Sequence, residues 1–248
     1  MSGFLATHTS AGQAQDLSPS PVTLTGLTSS ATGPNTQEGS VALSGTGSQF
    51  SASKFQFNWW TGGFTFEAWV NYTSFTNTVG LSPAVNSFGN MQTGGSIDAW
   101  SVGPTTTGQL TFYYYSSGPH TFTSSASMTA GAWTHICAQH DGTNLYLYIN
   151  GTSVAGPQAV SGLATITSSY FSIGQYAGPT YPGPTFQTGD VRIVTGATVY
   201  PVGGFTVPSA PLGLASSGTT VFLLQVPLVS GTSFMSKTGA GQANMWHS

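Results

Sequence analysis

The stretch from Trp133 to Gly151, WTHICAQHDGTNLYLYING, leaves few ways to fold because two hairpin signals interrupt one alternating pattern. Thr134, Ile136 and Ala138 fall on one face of its first arm and His135, Cys137 and Gln139 on the other, as a strand requires. Asp141-Gly142 predicts the first turn, since a tight hairpin wants positive φ at both central positions and these residues tolerate it. On the second arm Leu145, Leu147 and Ile149 alternate with Tyr146 and Tyr148, and Asn150-Gly151 predicts a second turn toward Ser153-Val154-Ala155. Three consecutive antiparallel strands therefore follow from local chemistry alone.

Further strands are expected on both sides. FTFEAWV, Phe64 to Val70, sets Phe64, Phe66, Ala68 and Val70 against Thr65, Glu67 and Trp69. Shorter candidates are Pro21 to Leu24, Ser40 to Leu43, Ser48 to Ser51, Ile97 to Val102, Gln109 to Tyr115, His120 to Thr123, Tyr170 to Gly174, Val191 to Val194 and Val199-Tyr200. Val221 to Val226 is an apolar run suited to a buried central strand. No helical period persists for three turns, and no fixed-period repeat or convincing linker divides the chain. The expectation is an all-β, antiparallel two-sheet sandwich: an N-terminal arm over residues 1–15 and a single domain over 16–248.

Charge is the outlier in composition. Only 4% of residues are charged, against a typical figure of roughly 25%. Disorder is nonetheless not expected, because hydrophobic residues make up 39% and aromatics 12%, arranged in strand periods. A net charge of -3 and three basic residues, Lys54, Arg192 and Lys237, argue against nucleic acid and anionic membrane surfaces as partners. No apolar run reaches the length of a spanning helix, and MSGFLATHTSAG has neither the basic region nor the apolar core of an export signal. With Cys137 as the single cysteine, no internal disulfide is available.

FTFEAWV, WTHICAQHDGTNLYLYING, FSIGQY and GDVRIVTGATVY occur in an order and spacing that resembles the concanavalin A-like, laminin-G-like jelly rolls, over roughly Gly39 to Tyr200. VRIVTGATVYPVGGFTVPSAPL followed by VFLLQ is similar to the version of this domain found in structural proteins of tailed phages and large viruses. The resemblance implies a sandwich of about a dozen strands whose closing strand, Val221 to Val226, returns beside the first ones. It also implies a binding or structural role more often than catalysis. It names no ligand, so function must be read from sites.

Retaining glycoside hydrolysis needs two carboxyl groups about 5 Å apart, whereas Glu67 stands alone on its strand and Asp16, Glu38, Asp98, Asp141 and Asp190 are scattered. No catalytic activity is expected. His135 and His140 are separated by an odd offset and point to opposite faces, so they cannot chelate one ion together. No cofactor or metal is expected; Asp98 is the least implausible calcium ligand, without a cluster around it. Glu67 and Arg192 are read as a structural ion pair, because a charge kept in such a core needs a partner, with Asp190 as a competitor for the arginine.

Two functional expectations remain. The first is a virion structural protein, a minor capsid, decoration or appendage subunit on the particle surface. It would pack against itself as a homo-oligomer and against other virion proteins, with Met1 to Gln15 and the tail Ser230 to Ser248 as straps. The second is a glycan-binding module using the Pro-Gly loop YAGPTYPGPTF, where Tyr176, Tyr181 and Phe186 are candidate contacts.

Overall fold

The computed structural model describes residues 22–25, 28–44, 49–52, 62–75, 87–92, 100–116, 118–161, 169–174, 184–226, 234–238 and 243–247. All regular structure among the described residues is β. The strands in chain order are β1 Val22–Thr25, β2 Thr28–Ser30, β3 Ser40–Ser44, β4 Gln49–Ala52, β5 Phe64–Tyr72, β6 Phe88–Gln92, β7 Trp100–Pro104, β8 Gln109–Tyr115 and β9 Pro119–Ser127. They continue as β10 Thr134–His140, β11 Asn144–Ile149, β12 Thr152–Ala159, β13 Ser169–Ile173, β14 Thr185–Thr195, β15 Thr219–Gln225, β16 Phe234–Thr238 and β17 Ala243–His247. One sheet runs β1-β4-β13-β6-β7-β8-β9 and the other β12-β11-β10-β5-β14-β15-β16-β17, with β3 also on β14 and β2 on β3. The pairing is antiparallel throughout, as expected of a two-sheet jelly roll.

The meander from β10 to β12 forms as its alternation predicts, with one shift. Gly142 and Thr143 are the central residues of the first turn, Gly142 alone has positive φ there (97°), and Asp141 anchors the turn by accepting the Thr143 and Asn144 N–H groups at 2.9 and 2.7 Å. The second turn is as expected: Asn150 (φ 50°) and Gly151 (φ 74°) both lie in the left-handed region. Asn150 also fastens the hairpin back onto β10, exchanging contacts with both the N–H and the C=O of His135.

Apolar faces of the two sheets meet in a core dominated by rings. Phe66 packs on Phe88 with centroids 5.1 Å apart, Phe171 on Phe222 at 4.8 Å, and Trp100 lies within 6.0 Å of Phe64, Phe66, Phe112 and Phe171. Every residue of β10 is buried, and all but Asn71 of β5. The second face of these strands is therefore covered as well. Its cover is the irregular segment 196–218, whose backbone is tied down by Thr65, Gln139, Gly151, Asp190 and Arg192.

Several strand expectations need correction. Val199-Tyr200 is no strand but the start of this covering segment. β2 and β6 are too short and too polar or glycine-bearing for their periodicity to show in the sequence. β9 is nine residues long where four were expected. The described residues of the tail do not reach outward as a strap: β16 pairs with β15 and β17 with β16, so the domain's own sheet continues past the strand expected to close it. The arm over residues 1–15 lies outside the described residues.

Candidate functional site

β5 sits between β10 and β14, and this register brings the polar residues of the covered face together. Glu67 is the cross-strand partner of Cys137 on one side and Arg192 on the other, while His135 lies opposite Trp69. Arg192 donates from Nε and Nη2 to Glu67 Oε1 at 2.8 and 2.6 Å. The second oxygen, Oε2, accepts from the Tyr200 hydroxyl at 2.6 Å and lies 3.1 Å from His135 Nε2. Glu67 and His135 are 0% exposed and Arg192 7%.

Four contacts to one carboxylate explain how a charge persists here, since an unpaired one would cost several kcal/mol. Burial acts to raise the Glu67 pKa, but the hydrogen bond and charge of His135, the Arg192 guanidinium and the Tyr200 hydroxyl together hold it below its ordinary value. Tyr200 moves the opposite way: burial, the Glu67 charge and the hydrogen bond to it raise its pKa, so the hydroxyl stays a donor. Burial, followed by the Glu67 charge, pushes the Cys137 thiol well up, opposite to what a reactive thiolate needs.

Above the cluster lies an aromatic roof. Tyr200 and Phe205 stack with centroids 3.7 Å apart, Phe205 meets His135 and Tyr148 at 5.8 and 5.3 Å, and Trp69 meets His135 at 5.1 Å. Arg192 also donates from Nη1 to the Gly213 carbonyl at 2.8 Å. The cluster thus joins three strands to the segment 196–218. Its chemistry is that of a clamp, with each Glu67 oxygen already taken by two donors.

Asp190 does not compete for the arginine. Its two oxygens accept the backbone N–H groups of Leu212 and Val226, both at 2.8 Å. Among the candidate glycan contacts, Tyr176 and Tyr181 lie outside the described residues. Phe186 belongs to the core instead: it is 1% exposed, stacked on Tyr72 at 5.1 Å and edge-on to Phe88 at 5.6 Å. Asp98 also lies outside the described residues, among which no three His, Cys, Asp or Glu side chains come together as a metal site. Sequence reasoning missed Tyr200, Gln139 and Glu38. Only the polarity of Gln139 on an otherwise well-patterned strand could have flagged a covered face.

The two sheets, their order and the ring-filled core define a jelly-roll sandwich of the lectin type. A laminin-G-like family model described as the concanavalin A-like lectin/glucanases superfamily matches residues 44–198, and the chain belongs to that superfamily. No curated protein sequence matches it. Among solved structures, the binding domain of Paraclostridial Mosquitocidal Protein 1 is similar at TM-score 0.55 and 16% identity, covering 77% of this chain and 48% of that one. The botulinum neurotoxin serotype G binding domain gives 0.53 and 16%, covering 75% and 45%. Domain 4 of AbnA, an extracellular arabinanase from Geobacillus stearothermophilus solved with arabinotriose, gives 0.50 and 16%, covering 76% and 84%. The chain thus spans about half the length of the two toxin structures, and at these identities the likeness is one of fold.

Proposed function

We propose that this protein is a virion structural subunit, a minor capsid, decoration or appendage protein that works by packing against its own copies and other coat proteins on the particle surface. The observation that carries this reading is where the charge goes. Of the five charged residues whose side chains are described, Glu38, Glu67, Asp190 and Arg192 are buried, and Asp141 is the exposed one. The described surface is otherwise rich in hydroxyl, amide and backbone groups, as on β9 and β12, with Tyr115, Val202 and Leu214 as its exposed large apolar side chains. Such a surface can be brought against a neighbour with little cost of desolvating charge. Association of the purified chain, followed by sedimentation, is expected to rise with concentration and to change little between low and high salt. A chain that stays monomeric at high concentration, or whose association disappears in salt, would contradict the reading.

A second reading, a glycan-binding module, is favoured by the likeness to most of the AbnA domain and by the superfamily's lectin membership. Its candidate contacts are Tyr176 and Tyr181. A glycan array probed with the whole chain and with Tyr181→Ala tests it: binding lost in the variant supports a lectin role, and no binding by the native chain removes it.

A further inference from the structure

β14 changes partner halfway along its length. Thr185 to Thr188 pair with β3, and Val191 to Thr195 pair with β15 on the same side, with an irregularity between Thr188 and Val191. Two fully buried carboxyl groups sit at this seam: Asp190 within the irregularity and Glu38 just before β3. Val226, which follows β15, is held from both sides, its N–H by Asp190 Oδ1 and its C=O by the Gly39 N–H at 2.9 Å. Asp190 Oδ2 meanwhile holds the Leu212 N–H of the covering segment. Glu38 Oε1 accepts from Asn35 Nδ2 at 2.8 Å, whereas Oε2 is buried with no hydrogen-bond partner among the described residues.

Two ionised carboxylates in one buried site repel, and Arg192, two positions along β14 from Asp190, is already bound to Glu67. One added proton removes the conflict. Placed on Glu38 Oε2, it leaves Asp190 charged to accept its two N–H bonds. We propose that Glu38 and Asp190 hold one proton between them and act as a pH-controlled latch, closed in mild acid, on the segment 196–218 and the end of β15.

The surrounding groups agree with this in direction. Burial, then the Glu38 charge, raises the Asp190 pKa to about 7, against the Val226 and Leu212 N–H groups and Arg192. Burial raises Glu38 as well, against the Asn35 amide, the Asp190 backbone N–H and His135. The titration belongs to the pair rather than to either residue. Because the folded pair keeps a proton that the unfolded chain has released, its stabilisation is present in acid and lost as pH rises toward about 7.

Hydrogen exchange at the Leu212 and Val226 amides, corrected for intrinsic rates, reads the latch directly in the full chain with chelator present. Opening is expected to increase by up to roughly tenfold per pH unit between about pH 5 and 7 and then to level off. Glu38→Gln keeps the side chain's size and removes one charge, so its profile should be flat and protected at pH 8. Asp190→Asn serves as a second variant, flat in pH but less protected, because one acceptor becomes a donor. A pH-independent native profile, or a native-like slope in Glu38→Gln, would overturn the latch. So would full protection restored at pH 8 by millimolar calcium alone, since a cation rather than a proton would then bridge the pair.

Discussion

Arg192 reaches Glu67 straight across β5 and β14 and places both Nε and Nη2 on the same carboxylate oxygen, at 2.8 and 2.6 Å. This leaves the other oxygen for His135 and Tyr200 and the guanidinium's Nη1 for the Gly213 carbonyl. One ion pair therefore fixes both a strand register and the position of a long irregular segment above the sheet.

Removing one partner should cost far more than removing both. Arg192→Met leaves the Glu67 charge buried without its arginine counter-ion and is expected to lower unfolding free energy by about 3–5 kcal/mol. Glu67→Gln combined with Arg192→Met should recover much of that loss. Urea unfolding of the two variants checks it, and equal losses would show that the pair's charge is unimportant.

The stability profile with pH should peak in mild acid. Glu67 has a lowered pKa, so its contribution is present above the unfolded value and lost as pH falls through the folded one. The Glu38–Asp190 pair is raised, so its contribution is lost on the other side, as pH rises toward about 7. Thermal unfolding between pH 3 and pH 9 is expected to give the highest Tm near about pH 5.

Gly151 is required twice over. Its positive φ suits the turn, and a Cβ there would run into the Phe205 carbonyl, whose own N–H donates to Gly151 C=O at 2.9 Å. Gly142 has a comparable φ but open space around it. Gly142→Ala should cost only the backbone strain of roughly 1–2 kcal/mol, whereas Gly151→Ala should also lift the segment 196–218. Limited proteolysis should cut within that segment in Gly151→Ala alone.

Cys137 should resist thiol reagents in the folded protein. It is 0% exposed and its pKa is raised, so labelling by an alkylating agent should follow global unfolding, with a rate that tracks denaturant. Fast labelling in native buffer would mean that the covering segment opens by itself.

The hairpin at Asn150-Gly151 and the face parity of His135, Cys137 and Gln139 were legible because each rests on residues a few positions apart. The pairing of Glu67 with Arg192 was legible only in part: two charges on strands of an almost uncharged chain pointed to it, but Asp190 stayed a competitor until the structure placed its oxygens on the Leu212 and Val226 N–H groups. The turn at Asp141 slipped by one residue because an Asx carboxylate can hold the N–H groups following it, an alternative that composition does not separate from a central turn position. Phe186 shows a deeper limit: an aromatic at the end of a Pro-Gly loop looks like a platform until pairing with Tyr72 turns it into the core.

Sequence by itself determined the alternating strands, the tight turns and the need for buried charges to find partners, because these are set by backbone sterics and by the cost of desolvation. Tertiary structure alone decided that the polar face of β5 and β10 is roofed by Tyr200 and Phe205, and that Glu38 and Asp190 are both buried at the seam where β14 changes neighbours. Those contacts join residues far apart in the chain, 61 positions for Gln139 with Tyr200 and 133 for Glu67 with Tyr200. They depend on which strands become adjacent, and that follows from the packing of the whole core.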